Sequence, residues 1–221
     1  MPAYFRQCLA ILVAALLLSP SSFAFDSPLS DQAVREAYFL GQRRDESFAS
    51  FMDKYTKHLA PPKTGPHVAS ITFFTPFALA AQLSSQHSAG YSAQQAALDH
   101  RGQVESVKII VQIYLTESYG ALIPRPTGSR SGSPTGFVQR PSDFWIDFDV
   151  QVFSEDRELR PFTSSGEPNY LCSENGGCTL TGATIQFEFL AESFASDSAT
   201  IQVTPPEGDP VSLDFGLTRL R

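Results

Sequence analysis

The stretch Val107-Lys-Ile-Ile-Val-Gln-Ile-Tyr-Leu115, VKIIVQIYL, sets Val107, Ile109, Val111, Ile113 and Leu115 at alternate positions. Successive side chains of a strand point to opposite faces, so this period of two reads as a half-buried antiparallel strand. The alternation returns four times. DFWIDFDVQVF aligns Phe144, Ile146, Phe148, Val150 and Val152, and TIQFEF aligns Ile185, Phe187 and Phe189. TIQV aligns Ile201 with Val203, and VSLDFGL aligns Val211, Leu213, Phe215 and Leu217. Five such runs with turns between them predict two packed sheets over residues 104–221.

The opposite faces refine this. Thr184, Gln186 and Glu188, then Thr200 and Gln202, then Ser212 and Asp214 are polar and are expected to face solvent. Ile110 and Tyr114, then Trp145 and Phe153, are too apolar for a wet surface, so a further layer is expected behind them. The expected fold is mainly β with N-terminal helices (α+β): a two-sheet antiparallel β-sandwich with helices packed on one sheet.

Residues 25–103 supply the helices and one strand. Ser27 or Ser30 caps SDQAVREAYFLGQ. Asp45 caps DESFASFMDKYTKHL, where Phe48, Phe51, Met52, Tyr55 and Leu59 form one helical stripe, the natural cover for the sheet. APPKTGP (60–66) breaks the pattern, because prolines and glycine do not continue a helix. HVASITFF reads as a strand. Thr75 and Pro76 open the next helix, and Ser92 with Gln95 has the spacing of a capping box before another, with Gly102 past its end. PRPTGSRSGSPTG (124–136) has the composition of a mobile loop. The whole is expected to form one compact unit.

The first 24 residues read as a secretory signal: Arg6, an apolar run Leu9–Leu18, then Ser22 and Ala24 at a small-residue cleavage site. The run is well short of the roughly 20 residues that cross a bilayer as a helix. Export to a periplasmic or extracellular space is expected, with cleavage after Ala24. Two cysteines then remain, Cys172 and Cys178, in LCSENGGCT. Their spacing fits neither a zinc knuckle nor a C-x-x-C redox centre, and an oxidising compartment favours a disulfide around the turn Glu174-Asn175-Gly176-Gly177.

The chain holds 16 Lys and Arg against 23 Asp and Glu. Loss of Arg6 with the signal leaves 15 against 23, a net charge of about −8. Such a surface opposes sequence-independent nucleic-acid binding and attachment to anionic lipid. The sequence holds no G-x-S-x-G elbow, H-E-x-x-H helix or Gly-rich phosphate loop, and no cofactor or metal is expected. Trp145, Asp147 and Asp149, alternating on one expected strand, are the candidate ligand surface, since an aromatic beside carboxylates suits sugar or a hard cation.

Three functions fit these features. The first is an exported, non-catalytic β-sandwich module for binding a protein or glycan or for cell-envelope interaction. The second is a secreted hydrolase at the helix–sandwich junction, using His67, His87 or His100 with an Asp or Glu. The third is an assembly or chaperone-like factor offering a strand edge.

Overall fold

Period two survives in the structure at β3 (Ser106–Tyr114), where Val107, Ile109, Val111 and Ile113 are buried and Tyr114 is exposed. The structure, a computed structural model, describes residues 25–87, 90–124 and 136–221. The signal reading of residues 1–24, and nearly all of the loop reading of 124–136, lie outside the described residues.

β3 pairs on one side with β2 (His67–Phe74) and on the other with β9 (Cys178–Leu190). β1 (Thr56–His58) and β8 (Thr163–Cys172) complete a five-stranded sheet in the order β1-β2-β3-β9-β8. β6 (Asp149–Ser154), β7 (Arg157–Leu159), β10 (Ser198–Thr204) and β11 (Val211–Gly216) form a four-stranded sheet in the order β11-β10-β6-β7. β4 (Leu122–Pro124) and β5 (Phe137–Gln139) make a two-stranded hairpin. Every pairing among the described residues is antiparallel. The fold is thus mixed α+β, with three antiparallel sheets.

One hydrophobic cluster draws on both larger sheets, joining Phe73, Ile109 and Ile185 to Val152, Ile201 and Phe215. The Phe73 ring stacks on Phe215 with centroids 5.6 Å apart, and Phe194 meets Phe73 edge-on at 5.2 Å.

The described residues hold four α-helices: α1 (Asp31–Arg43), α2 (Glu46–Asp53), α3 (Pro76–Gln86) and α4 (Ala93–His100). Each begins as its sequence directs. Ser30, Asp45, Thr75 and Ser92 accept backbone N–H groups of the first turn, and Pro76 occupies the first turn of α3. α1, α3 and α4 share a second cluster built largely of small side chains, including Ala33, Ala37, Ala81, Ala96 and Ala97. Small residues allow a close crossing. A Cβ on Gly41 of α1 would lie 2.1 Å from the Ala81 carbonyl oxygen of α3.

Three expectations are corrected, and one long strand is added. The stripe over residues 48–59 is not one helix. α2 ends at Asp53, Tyr55 turns into the core, and Thr56–His58 is strand β1. Pairing with β2 wins over continued helix there: the Phe73 N–H donates to the Tyr55 carbonyl, and the Tyr55 hydroxyl donates to the Arg221 carbonyl at 2.9 Å. The helix over the five-stranded sheet is α3, and Phe51 and Met52 only flank the core.

Second, DFWIDFDVQVF is not one strand. Phe144–Asp147 is a 3-10 helix, closed by N–H donation from Phe144 to Pro141, Ile146 to Asp143 and Phe148 to Trp145. Ile146 consequently stands 63% exposed, off the face assigned to it. Third, Thr184, Gln186 and Glu188 of β9 and Thr200 and Gln202 of β10 are half-buried rather than solvent-facing, because both strands lie inside their sheets. Finally, β8 gave no signal in the sequence. As an edge strand it buries little, and TSSGEPNYLC alternates nothing.

Candidate functional site

Directly opposed residues of antiparallel strands share a face. The register therefore fixes what the five-stranded sheet shows on the side away from the four-stranded sheet. Across β2, β3, β9 and β8 the first row is Phe74–Lys108–Glu188–Thr163, and the second is Thr72–Ile110–Gln186–Ser165. The third is Ser70–Gln112–Thr184–Glu167, and the fourth His67–Tyr114–Gly182–Asn169.

A groove of about 490 Å³ lies between the helices and the first two rows. Its floor carries Lys108, Ile110, Gln186 and Glu188. α3 contributes Leu79 and Leu83, while α4 and the following loop contribute Asp99, His100 and Glu105. Leu83 is half-exposed on the rim. The placement follows from local sequence. α3 starts immediately after β2 because Thr75 caps it, and the turn after α4 leads directly into β3.

Two pairs of ionisable groups lie side by side in the groove. Lys108 Nζ lies 2.8 Å from Glu188 Oε1, both side chains half-buried. His100 Nε2 lies 3.0 Å from Glu105 Oε1. Glu105 also accepts the Ser27 hydroxyl at 2.7 Å and the Leu29 N–H. Burial by itself raises the Glu105 pKa, but the hydrogen bonds from His100, Ser27 and Leu29 outweigh it and hold the carboxyl below its ordinary range. Glu105 thereby ties the segment before α1 to the end of α4. Asp99 accepts Gln95 Nε2 at 2.6 Å. The nearby Tyr91 hydroxyl is pushed up by burial and then by Asp99.

Beyond the groove the outer face stays open. Thr184 and Asn169 hydrogen-bond through their side chains, with Asn169 Nδ2 donating to Thr184 Oγ1 at 3.2 Å. Tyr114, expected beneath a further layer, is instead 44% exposed. His67 lies on one side of it, with ring centroids 6.2 Å apart, and on the other its cross-strand neighbour is Gly182. No side chain fits there, because a Cβ on Gly182 would lie 2.0 Å from the Ile113 carbonyl oxygen.

The residues singled out in the sequence are dispersed. Trp145 and Asp147 sit in the 3-10 helix and Asp149 opens β6, so the three do not share a strand face. The Trp145 ring covers Gly166 of β8, where a Cβ would come within 2.4 Å of it. Asp147 and Asp149 are exposed. His67 Nε2 faces the Leu59 carbonyl at 3.0 Å, and His87 stacks on Tyr91 at 3.9 Å between centroids. Of the three histidines considered for catalysis, only His100 meets a carboxylate in the groove. Cys172 and Cys178 form a disulfide across directly paired positions of β8 and β9.

Lys108, Gln186 and Glu188 were missed as site residues. Their signal was present: polar side chains at alternate positions of strands whose other face is wholly apolar. What the sequence lacked was the helix above them. Among the described residues no group of three or more His, Cys, Asp and Glu is arranged to hold a metal ion. No protein-family model matches the chain, and no curated protein matches it.

Proposed function

We propose that this chain is an exported, non-catalytic binding module, a two-sheet β-sandwich with helices on one sheet, whose ligand sits between α3, α4 and the β3–β9 face. The observation that carries this reading is the groove itself. Its volume falls within the range of about 300–1,000 Å³ usual for ligand sites, and its lining mixes apolar side chains such as Leu79, Leu83 and Ile110 with polar ones such as Asp99, Lys108, Gln186 and Glu188. The Cys172–Cys178 disulfide is compatible with export, as is the finding that no described helix is long and apolar enough to cross a membrane.

The hydrolase reading draws support from His100 beside Glu105. The bonding order weakens it. In a catalytic triad the serine meets the histidine, whereas here the Ser27 hydroxyl meets the carboxylate. At the β8 edge a strand-edge factor is disfavoured, because the middle of that strand carries Gly166, Glu167 and Pro168, residues that discourage pairing with a further strand.

A thermal-shift screen against glycans, peptides, calcium and zinc tests the reading, run on the wild type and on Gln186→Trp, which fills the floor. A ligand at 100 times its Kd adds about 2.7 kcal/mol of stability. The reading expects a shift in the wild type that disappears in the variant. A shift of equal size in both moves the site elsewhere. Ester hydrolysis abolished by His100→Ala would favour the hydrolase.

A further inference from the structure

Resting on that groove reading, we propose that the ligand is a neutral β-1,4-linked oligosaccharide, running from the groove along the open outer face to Tyr114. The charge pattern argues first. The chain is acidic overall, yet on the outer face of β2, β3 and β9 the Lys108–Glu188 pair neutralises itself. The rows beyond it present Thr72, Gln186, Ser70, Gln112 and Thr184. A strongly anionic ligand finds no uncompensated cation on those strands and meets the exposed Glu167 of β8 and Asp99 of the groove, whereas an uncharged one loses nothing by lying there.

The side-chain chemistry argues next. Amides and hydroxyls both donate and accept, which is what a sugar hydroxyl requires of its partners. The Asn169–Thr184 bond holds part of this network in place before any ligand arrives. A β-1,4-linked chain is a flat ribbon with C–H faces and hydroxyl edges, so it needs a flat receiving surface with an aromatic plate. Tyr114 supplies the plate, since 44% of it is open to solvent. Half-exposed Leu83 on the groove rim offers a second apolar contact for the other end.

Amide NMR titration of the folded protein with cellohexaose, xylohexaose and chitohexaose tests this. At least one is expected to give saturable shifts at Gln112, Tyr114, Thr184 and Gln186. Tyr114→Ala should weaken that binding tenfold or more, while Tyr114→Trp retains it. The melting temperature of Tyr114→Ala is measured alongside, so that lost affinity is read only from folded protein. No saturable shift with any of the three sugars, or wild-type affinity in Tyr114→Ala, overturns the proposal. A capped peptide, acetyl-Leu-Gln-Leu-Ser-amide, is titrated in parallel as a sugar-free groove probe. Peptide shifts around Leu83 and Gln103 without any sugar response overturn the saccharide assignment and leave the groove standing. Silence with every probe overturns both.

Discussion

Replacing Gly41 by alanine should destabilise the protein even though alanine is the better helix former. The added Cβ would lie 2.1 Å from the Ala81 carbonyl oxygen, and 3.0 Å from both Ser84 Cβ and the Ser85 nitrogen. Two of these three atoms are backbone of α3, so no rotamer change relieves the contact. α1 has to retreat by more than 1 Å. That retreat loosens the shared cluster of Ala37, Phe77 and Ala81 and stretches two hydrogen bonds across the crossing, from Gln42 to the Ser84 carbonyl and from Ser84 to the Tyr38 carbonyl.

Overpacking of this kind costs about 1–3 kcal/mol, and each hydrogen bond contributes about 1 kcal/mol net. The gain in helix propensity returns about 1 kcal/mol. The net loss should be about 2–4 kcal/mol, or about 4–16 °C in Tm for a chain of this size. Urea unfolding followed by far-UV circular dichroism measures it, with Gly136→Ala as a control because nothing lies within 4 Å of a Cβ there. Gly41→Ala unfolding at the wild-type urea midpoint, or above it, would refute the close crossing of α1 and α3.

Trp145 is the only tryptophan, so its emission reports its packing directly. Gly166→Ala should red-shift the emission by displacing the ring and destabilise by about 1–3 kcal/mol; unchanged emission would contradict the contact. Glu105 has a folded-state pKa below its unfolded value, so its contribution is full above the ordinary carboxylate range and fades as pH falls through the folded pKa. Glu105→Gln should therefore be less stable than wild type at neutral pH, with the gap closing below about pH 4; a gap constant down to pH 3 would argue against it. Cys172→Ser with Cys178→Ser should cost about 2 kcal/mol, the chain-entropy value for so short a loop. A urea midpoint equal to that of the oxidised wild type would show that the hairpin holds its shape without the disulfide.

The elements legible in the sequence were those whose local and tertiary preferences agree. β3 alternates without interruption because one face lies in the core, and three helix caps read correctly, with the first narrowed to Ser27 or Ser30, because capping is a matter of three or four adjacent residues. Where tertiary pairing overrides local pattern, the reading failed. Tyr55 continues the helical stripe in sequence, yet its backbone pairs with Phe73 and its hydroxyl reaches Arg221, so the helix stops short. Trp145 and Asp147 alternate like strand residues, but three short-range bonds fold them into a 3-10 turn. β8 was silent because an edge strand needs no buried face.

The groove was half legible. A histidine and a carboxylate at a helix–sandwich junction was one of three alternatives, and of its three histidines only His100 meets a carboxylate in the groove, Glu105. Lys108, Gln186 and Glu188 came into view only with the strand register, which depends on the pairing of segments some 80 residues apart.

The most direct test of the groove reading is to map, by amide NMR, where a binding compound from the glycan and peptide panel touches the protein. The account predicts perturbations at Leu79–Leu83 of α3, at 103–108 leading into β3, and at Gln186 of β9. Perturbations confined to the Cys172–Cys178 hairpin, the β8 edge or the surroundings of Trp145, with those groove positions silent, would contradict it.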